Sequence, residues 1–450
     1  MELGNQANTL NRETDHITIW QQNINKSKIC QHDLLSSARL IDIKADIIAL
    51  QEPAISDFAT TISTRDWRVI YPSTHAKDPS KTRSVILIYA NILTNNWSQM
   101  DIDLGDIMTL RLSREWGTLT IYNIYNNCKH DETIKLLKNL QGNSENDVTT
   151  WTSNNTHMIW LGDFNRHHPY WDNTSDNRLF TKVALNKAEY LISAVADPGL
   201  DLVLPPKIPM HKHNVTKKWT RLDHVFLSDH SSDVLLSCEV LDNNLGPNTD
   251  HLPIVTKLDL VLTKVPERKI PNFRNINWEK FRKVLKDKLW MLGLPRPIKS
   301  QGELDLECHR LTSILQTTIQ SEVPIYDLSP KSRQWWTKEL MDLQREASKL
   351  GRKASVLNNR PSDPIHAQST VAKKAYEKAI EYNKKHHWRD WLEKAEDPDI
   401  WTAHRYISAP AMDGSATRIP VLKAACNGEE VTASMNEDKS QILVHTFFPA

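Results

Sequence analysis

The chain has 450 residues, 39% hydrophobic and 25% charged, a composition that builds folded domains and excludes disorder throughout. Lys and Arg total 56 against 55 Asp and Glu, so the net charge of +1 names no partner. With no apolar run of about 18 residues, nothing is expected to span a bilayer.

From the N-terminus, Met1–Thr14 is polar, lacks the apolar core of a signal peptide, and is expected to be disordered and not to direct secretion. Strand-length apolar or alternating runs follow at Ile17–Ile24, Asp46–Leu50, Arg68–Tyr71, Ser84–Tyr89, Ile107–Leu112, Thr118–Tyr125, His157–Leu161, Leu222–Leu227, Val234–Val240 and Pro253–Leu258. Helical periodicity covers His32–Ile41, Glu132–Leu140 and Leu179–Ala196. Many strands with few helices imply an α/β sandwich, two facing sheets with helices outside, over residues 15–262. Beyond Lys264-Val265-Pro266 the pattern turns helical: Trp278, Phe281, Leu285 and Leu289 form one stripe, and further helices are expected over Leu304–Ile319, Gln334–Leu350 and Ser369–Glu393. Residues 263–410 read as a helical basic linker, and 411–450 as a loosely folded segment.

Charge divides along the same line. Residues 265–450 hold 30 Lys+Arg against 24 Asp+Glu, and Lys331–Lys394 alone holds 15 against 8, a surplus that can attract nucleic acid. Trp335-Trp336 and His386-His387-Trp388-Arg389-Asp390-Trp391 lie within it; packing is the first reading of these tryptophans and stacking on unpaired bases the second. Five cysteines stand far apart with no Cys-x-x-Cys pair, which fits a reducing compartment, cytosol or nucleus, better than a disulfide framework.

Strand ends carry polar residues that strand propensity does not require: Asn23, Glu52, Tyr125, Asp163 with Asn165, Asp223, and Asp250 with His251. In a two-sheet sandwich these ends gather at one rim. Hydrolysis of a phosphodiester needs a divalent cation, a carboxylate to hold it, a base for water and neutral donors, and this set supplies the residue types. Glu52, ending a buried strand, suits an oxygen-seeking ion such as Mg²⁺. Asp163 and Asn165 stand two apart on an extended segment with Gly162 beside them, and Asp223 is placed to orient His251. Ser228-Asp229-His230 begins too soon after Asp223 to leave room for a returning strand, so Thr249-Asp250-His251 is the better terminal motif.

The blocks Gln22-Asn23-Ile24-Asn25, Leu50-Gln51-Glu52-Pro53, Asn123-Ile124-Tyr125, Gly162-Asp163-Phe164-Asn165 with His168-Pro169-Tyr170-Trp171, Arg221-Leu222-Asp223-His224-Val225 and Thr249-Asp250-His251 resemble, in order, the endonuclease domain of LINE-type non-LTR retrotransposons. That domain is a branch of the endonuclease/exonuclease/phosphatase superfamily, which includes DNase I. The resemblance implies a four-layer DNase I-like sandwich of two mixed sheets flanked by helices, followed by the mostly α-helical linker that precedes a reverse transcriptase. It implies that Glu52 binds Mg²⁺, with Mn²⁺ able to substitute, and that Asn23 and Asp250 stand close to the metal. Asp163 would handle a proton of the attacking water or leaving oxygen, with Asn165 orienting it. His251, paired with Asp223, would contact the phosphate, to which Tyr125, rather than Tyr122, would donate. The product would be a nick with a 3′-hydroxyl that primes reverse transcription. No Tyr/Phe-x-Asp-Asp polymerase motif occurs, so the chain reads as ending before that domain.

The expected partners are double-stranded DNA and, at the basic helices, the element's RNA; the expected place of action is the nucleus. The cationic stretch Lys207–Trp219 precedes the Asp223 strand, and Lys212, Lys217, Lys218 and Arg221 are candidates to meet DNA phosphates, against the plainer reading of an exposed hairpin. His211 and His213 have no further ligands at zinc spacing and are not read as a metal site. Rival readings are an abasic-site repair endonuclease, a small-molecule phosphatase of the same superfamily, and a catalytically decayed remnant that still binds nucleic acid.

Overall fold

The computed structural model describes residues 16–142, 156–241, 249–264, 271–324, 335–395 and 422–447, leaving out 37–39, 41, 58, 65, 214–215, 217, 272, 274–275, 294–296, 358–359, 361, 427–428 and 434–435. Met1–Val265 with Arg333–Ala450 contribute one compact unit, and Pro266–Ser332 a second. No described helix is long and apolar enough to cross a membrane.

In the first unit two six-stranded mixed sheets face each other. One runs β13-β14-β1-β2-β4-β3, built from β1 (Ile17–Asn23), β2 (Ile47–Gln51), β3 (Trp67–Ile70), β4 (Ser84–Tyr89), β13 (Leu235–Val240) and β14 (Ile254–Leu258). The other runs β5-β6-β7-β8-β12-β9, from β5 (Trp97–Met100), β6 (Ile107–Arg114), β7 (Gly117–Tyr125), β8 (Thr156–Asp163), β9 (Leu200–Leu202) and β12 (Asp223–Ser228). The β1–β2 and β7–β8 pairs are parallel and the rest antiparallel.

Side-chain alternation assigns the layers. Ile17, Ile19, Ile47, Ile86 and Ile88 point inward and meet Leu110, Leu112, Ile121, Ile159, Leu161 and Val225 of the opposite sheet. Each such side chain contributes about 1.5–3 kcal/mol relative to exposure. The intervening residues Trp20, Ile48 and Leu50 face outward and are covered by Cys30, Leu34 and Leu35 of α1 (Lys28–Ser36). On the far side Tyr122, Ile124, Trp160 and Phe226 are covered by α2 (Glu132–Gly142) and α3 (Lys182–Ala196) through Ile134, Leu137, Ala188 and Leu191. Burial on both faces is why these strands read as near-continuous apolar runs. The result is the expected four-layer sandwich.

Buried polar groups fix the relative height of the sheets near one rim. Asn123 on β7 donates through Nδ2 to the carbonyls of Leu50 (3.0 Å) and Val85 (2.8 Å) and accepts from the Gln51 amide. Gly162 permits the approach of β8 to β7: its φ is +148°, and a Cβ there would lie 1.8 Å from the Ile124 carbonyl oxygen.

Several boundaries and strands differ from expectation. The first helix starts at Lys28 because Ser27 Oγ accepts from the Cys30 amide at 3.2 Å; the end expected at Ile41 falls among residues not described. Thr181 caps α3 by accepting from Ala184 N–H, so the helix begins three residues after Leu179. Pro364 at the first turn, with Asp363 as cap, starts the long C-terminal helix ahead of Ser369. Strands β5 and β9 were not anticipated. The first is a half-exposed edge strand and the second spans three residues, so neither carries a clear alternation.

The helices expected over 263–410 divide between the two units. In the second, α4 (Trp278–Trp290) and α5 (Gln301–Glu322) pack through Phe281, Leu285, Ile319 and Val323. Only the middle of the expected stripe is covered, Trp278 remaining 47% exposed. In the first, α6 (Lys338–Val356) and α7 (Pro364–Glu393) close over Leu340, Ala347, Tyr376 and Ile380. They dock on α1, where Asp33 Oδ1 accepts from Gln344 Nε2 and Tyr376 Oη, each at 2.8 Å. Trp335 and Trp336 pack there, whereas Trp388, 42% exposed, stacks on Trp391 at 5.1 Å. Within 411–450, expected to be loose, regular elements stand at β15 (Leu422–Cys426), β16 (Glu429–Ala433) and α8 (Asn436–Phe447), the two strands pairing with each other so that the hairpin meets its own backbone bonds.

Candidate active site

Strand direction places the polar strand ends on one rim. Parallel pairing sets Asn23 beside Gln51, one residue before Glu52, and Tyr125 beside Asp163. Antiparallel pairing puts Asp223, at the start of β12, opposite Asp163 at the end of β8. The segment Thr249–His251 enters β14 at the same end, where Gln22 Nε2 donates to the His251 carbonyl at 2.9 Å. All eight residues anticipated as catalytic therefore meet at this rim: Asn23, Glu52, Tyr125, Asp163, Asn165, Asp250 and His251 line one open cleft of about 710 Å³, and Asp223 stands directly behind His251.

Left-handed residues at the rim include Glu52 (φ 47°) and Asn165 (φ 51°), a backbone state that costs non-glycine residues about 1–3 kcal/mol and clusters at functional sites. Each is held by its neighbours. The Glu52 backbone donates to Arg83 O at 2.8 Å and accepts from Lys26 N at 2.8 Å, and Lys26 Nζ stands 3.9 Å from the Glu52 carboxylate. Asn165 Nδ2 donates to Asn126 O at 3.0 Å.

Asp163 and Asp223 are buried. Asp163 accepts from Asn23 Nδ2 at 2.9 Å and from the Asn165 amide at 3.1 Å. Burial and the neighbouring Asp223 charge push its carboxyl above the usual range, against the pull of His251 and these donors. His251 Nδ1 lies 2.7 Å from Asp223 Oδ2. Burial disfavours the charged ring, but Asp223, Asp163 and Asp250 outweigh it and raise His251 to about 9. The ring is therefore an imidazolium at neutral pH, with Asp223 fixing which nitrogen faces the cleft. Burial and the charges of Glu52 and Asp163 raise the Tyr125 phenol, which keeps its proton; the Arg83 guanidinium stands 5.2 Å over its ring. Tyr122 is instead packed against Trp160 in the core, away from the cleft.

The donor set fits a hard divalent ion. Glu52 supplies an accessible carboxylate and Asp250 a second, with Asn23 between the sheets. The Asn23 side-chain oxygen accepts from Asn25 N–H at 2.8 Å, and Asn25 Nδ2 stands 3.4 Å from Asp250 Oδ2.

One of the expected DNA contacts is corrected. Arg221 is 1% exposed and its guanidinium donates to the carbonyls of Leu204 and Pro205, so it anchors that loop and cannot reach a phosphate. Lys212 and Lys218 lie on the hairpin of β10 (His211–Lys212) and β11 (Trp219–Thr220), Lys212 Nζ 5.7 Å from the Trp219 ring and Lys218 exposed. Lys217 lies outside the described residues. Asp229 and His230 occupy a turn at the opposite end of β12, away from Asp223. Sequence reasoning missed His167 and Arg178 as cleft residues. His167 was within reach, two residues past Asn165; Arg178 lies on a short 3-10 turn, Thr174–Leu179, with no motif to mark it.

Residues 119–255 match the family model described as Endonuclease-reverse transcriptase. No curated protein matches the chain. Among solved structures, the endonuclease domain of TRAS1, a telomere-specific non-LTR retrotransposon, aligns at 17% identity and a TM-score of 0.42, covering 54% of this chain and 98% of that one. The AP endonuclease LMAP from Leishmania major aligns at 13% identity and 0.43, covering 57% and 92%. An AP endonuclease from Archaeoglobus fulgidus aligns at 15% and 0.41, covering 54% and 100%. The family match includes Tyr125, Asp163, Asn165, Asp223, Asp250 and His251, and the two mixed sheets with helices on both outer faces have the DNase I-like fold.

Proposed function

We propose that this domain nicks double-stranded DNA by Mg²⁺-dependent phosphodiester hydrolysis and leaves a 3′-hydroxyl that primes reverse transcription of a LINE-type element. The observation that carries the reading is the convergence, from both sheets, of a buried carboxylate–imidazolium pair (Asp223–His251, 2.7 Å) and a second buried carboxylate, Asp163, in one open cleft.

Glu52, with Asp250 and Asn23, would hold the ion, which supplies Lewis-acid charge to the phosphoryl oxygens when bound. His251, cationic at neutral pH, offers Nε2–H to a non-bridging oxygen, and Tyr125 offers its phenolic proton to the same phosphate. Asp163, tied by Asn23 and Asn165, is aimed to take a proton from the attacking water, and Asn165 orients that water. Lys212, Lys217 and Lys218 on the hairpin would neutralise flanking phosphates, giving affinity without base readout. The basic helices α6 and α7 would bind the element's RNA, and a longer form of the protein would carry a reverse transcriptase and act in the nucleus.

The test incubates supercoiled plasmid with the full chain in Mg²⁺, in Mn²⁺ and in EDTA. Open circles in both metals and none in EDTA support the reading; supercoiled plasmid unchanged in every lane refutes it.

A further inference from the structure

His211 is not part of the proposed nicking set, yet it shares the rim with His251. Its ring centroid is 4.6 Å from that of His251, and its Nε2 is 3.9 Å from Asp250 Oδ2. The three ligand atoms of His211, Asp250 and His251 lie within 4.8 Å of one another. We propose that His211, Asp250 and His251 form a second cation site of the cleft, selective for a first-row transition ion of the zinc and cobalt type, and sharing Asp250 with the oxygen-rich set around Glu52.

The geometry supports a nitrogen-rich site. At 3.9 Å the His211–Asp250 separation is too long for a hydrogen bond and close to the ~3.3 Å that two ligands of one tetrahedral zinc ion keep. Both rings are preset by partners on their other nitrogen. Asp223 holds His251 Nδ1 at 2.7 Å, and Thr220 Oγ1 holds His211 Nδ1 at 3.0 Å, so each Nε2 is turned to the shared space. The backbone is fixed as well: Lys212 N–H donates to Asp250 O and Leu252 N–H to Met210 O, both at 2.8 Å, clamping the hairpin to the Asp250–Leu252 segment. An arriving ion takes the Nε2 lone pair of each ring and displaces to solvent the proton that His251 Nε2 carries. Two imidazoles and one carboxylate leave a fourth position for water, and nitrogen ligands favour zinc or cobalt over Mg²⁺.

This site stands on geometry alone. Its consequence rests on the nicking reading: an ion on His251 Nε2 blocks the face offered to phosphate, so Zn²⁺ added to the Mg²⁺ reaction suppresses nicking.

The experiment titrates Co²⁺, followed by Zn²⁺, into the full chain and reads the visible d–d absorption and ion stoichiometry. The expected result is one Co²⁺ with an intense visible band, displaced by Zn²⁺, and weakened at least tenfold in His211→Ala. Thr220→Val, which keeps the ligand and removes its orienting hydroxyl, should also weaken binding, by about tenfold, and decides the matter if His211→Ala does not fold. A wild-type chain that binds no Co²⁺, or binding undiminished in the folded variants, overturns the site. The titration needs no nicking, so failure of the site and failure of the nuclease reading are read separately.

Discussion

Asn23 Nδ2 donates to Asp163 Oδ2 at 2.9 Å, a bond between the last residue of β1 in one sheet and the last of β8 in the other. It fixes the separation of the two rims and the orientation of the carboxylate read as the proton acceptor. Asn23→Ala leaves Asp163 with one of its two hydrogen bonds. We expect kcat/KM for plasmid nicking to fall about 10- to 100-fold, the effect of removing a hydrogen bond to a charged partner of about 1.5–3 kcal/mol, with circular dichroism unchanged.

Asp223→Asn removes the charge that holds His251 cationic. Histidine NMR should show the His251 titration moving down from about 9 toward the ordinary range, and nicking should fall about 10²- to 10⁴-fold. A variant with full activity and an unmoved titration would show that the pair has no role in either.

His224, adjacent to Asp223, is fully buried against Trp171, Phe164 and Phe226. Burial, aided by the Arg221 charge, lowers its pKa well below the ordinary value of 6.5. The folded state therefore binds fewer protons than the unfolded state below 6.5; stability is fully present above that pH and is lost as pH falls. Thermal melts at pH 7.5 and 5.0 should differ in this direction, by about 1.4 kcal/mol per pH unit for one proton. His224→Asn should start lower and show a shallower pH slope; an equal slope would mean other groups carry the linkage.

Arg221 and Lys218, three residues apart, should behave oppositely. Arg221→Ala strands the Leu204 and Pro205 carbonyls and should cost about 3 kcal/mol in denaturant melts, with no change in the salt dependence of DNA binding. Lys218→Ala should leave the melt unchanged and reduce the slope of log K against log[salt] by about 1.

Much of this was legible because buried strands announce themselves twice. Ile47–Leu50 is apolar on both faces, and the polar residue that ends such a run, Glu52, has no packing reason to be there. Asp163 and His251 were readable for the same cause. What escaped depends on partners remote in sequence. Arg221 reads as a cation beside a nuclease motif, and only the fold shows that the carbonyls of Leu204 and Pro205 take it inside. His211 has no ligand at local spacing; Asp250 and His251, some forty positions on, reach it through a strand of two residues. Asn123 looks like one more polar residue in a strand, yet it joins the sheets through Leu50 and Val85.

The central claim is that a single rim cuts DNA by hydrolysis and leaves an extendable end. The most direct measurement incubates end-labelled duplex and plasmid with wild type, Asp163→Asn and His251→Ala in Mg²⁺, scores DNA binding by gel shift in the same samples, and offers the nicked plasmid to a DNA polymerase without phosphatase treatment. The account predicts nicks from the wild type that the polymerase extends at once, and variants that bind DNA within about threefold of wild type but cut at least about 100-fold more slowly. Nicking that survives in both variants, or nicks that the polymerase cannot extend, would contradict it.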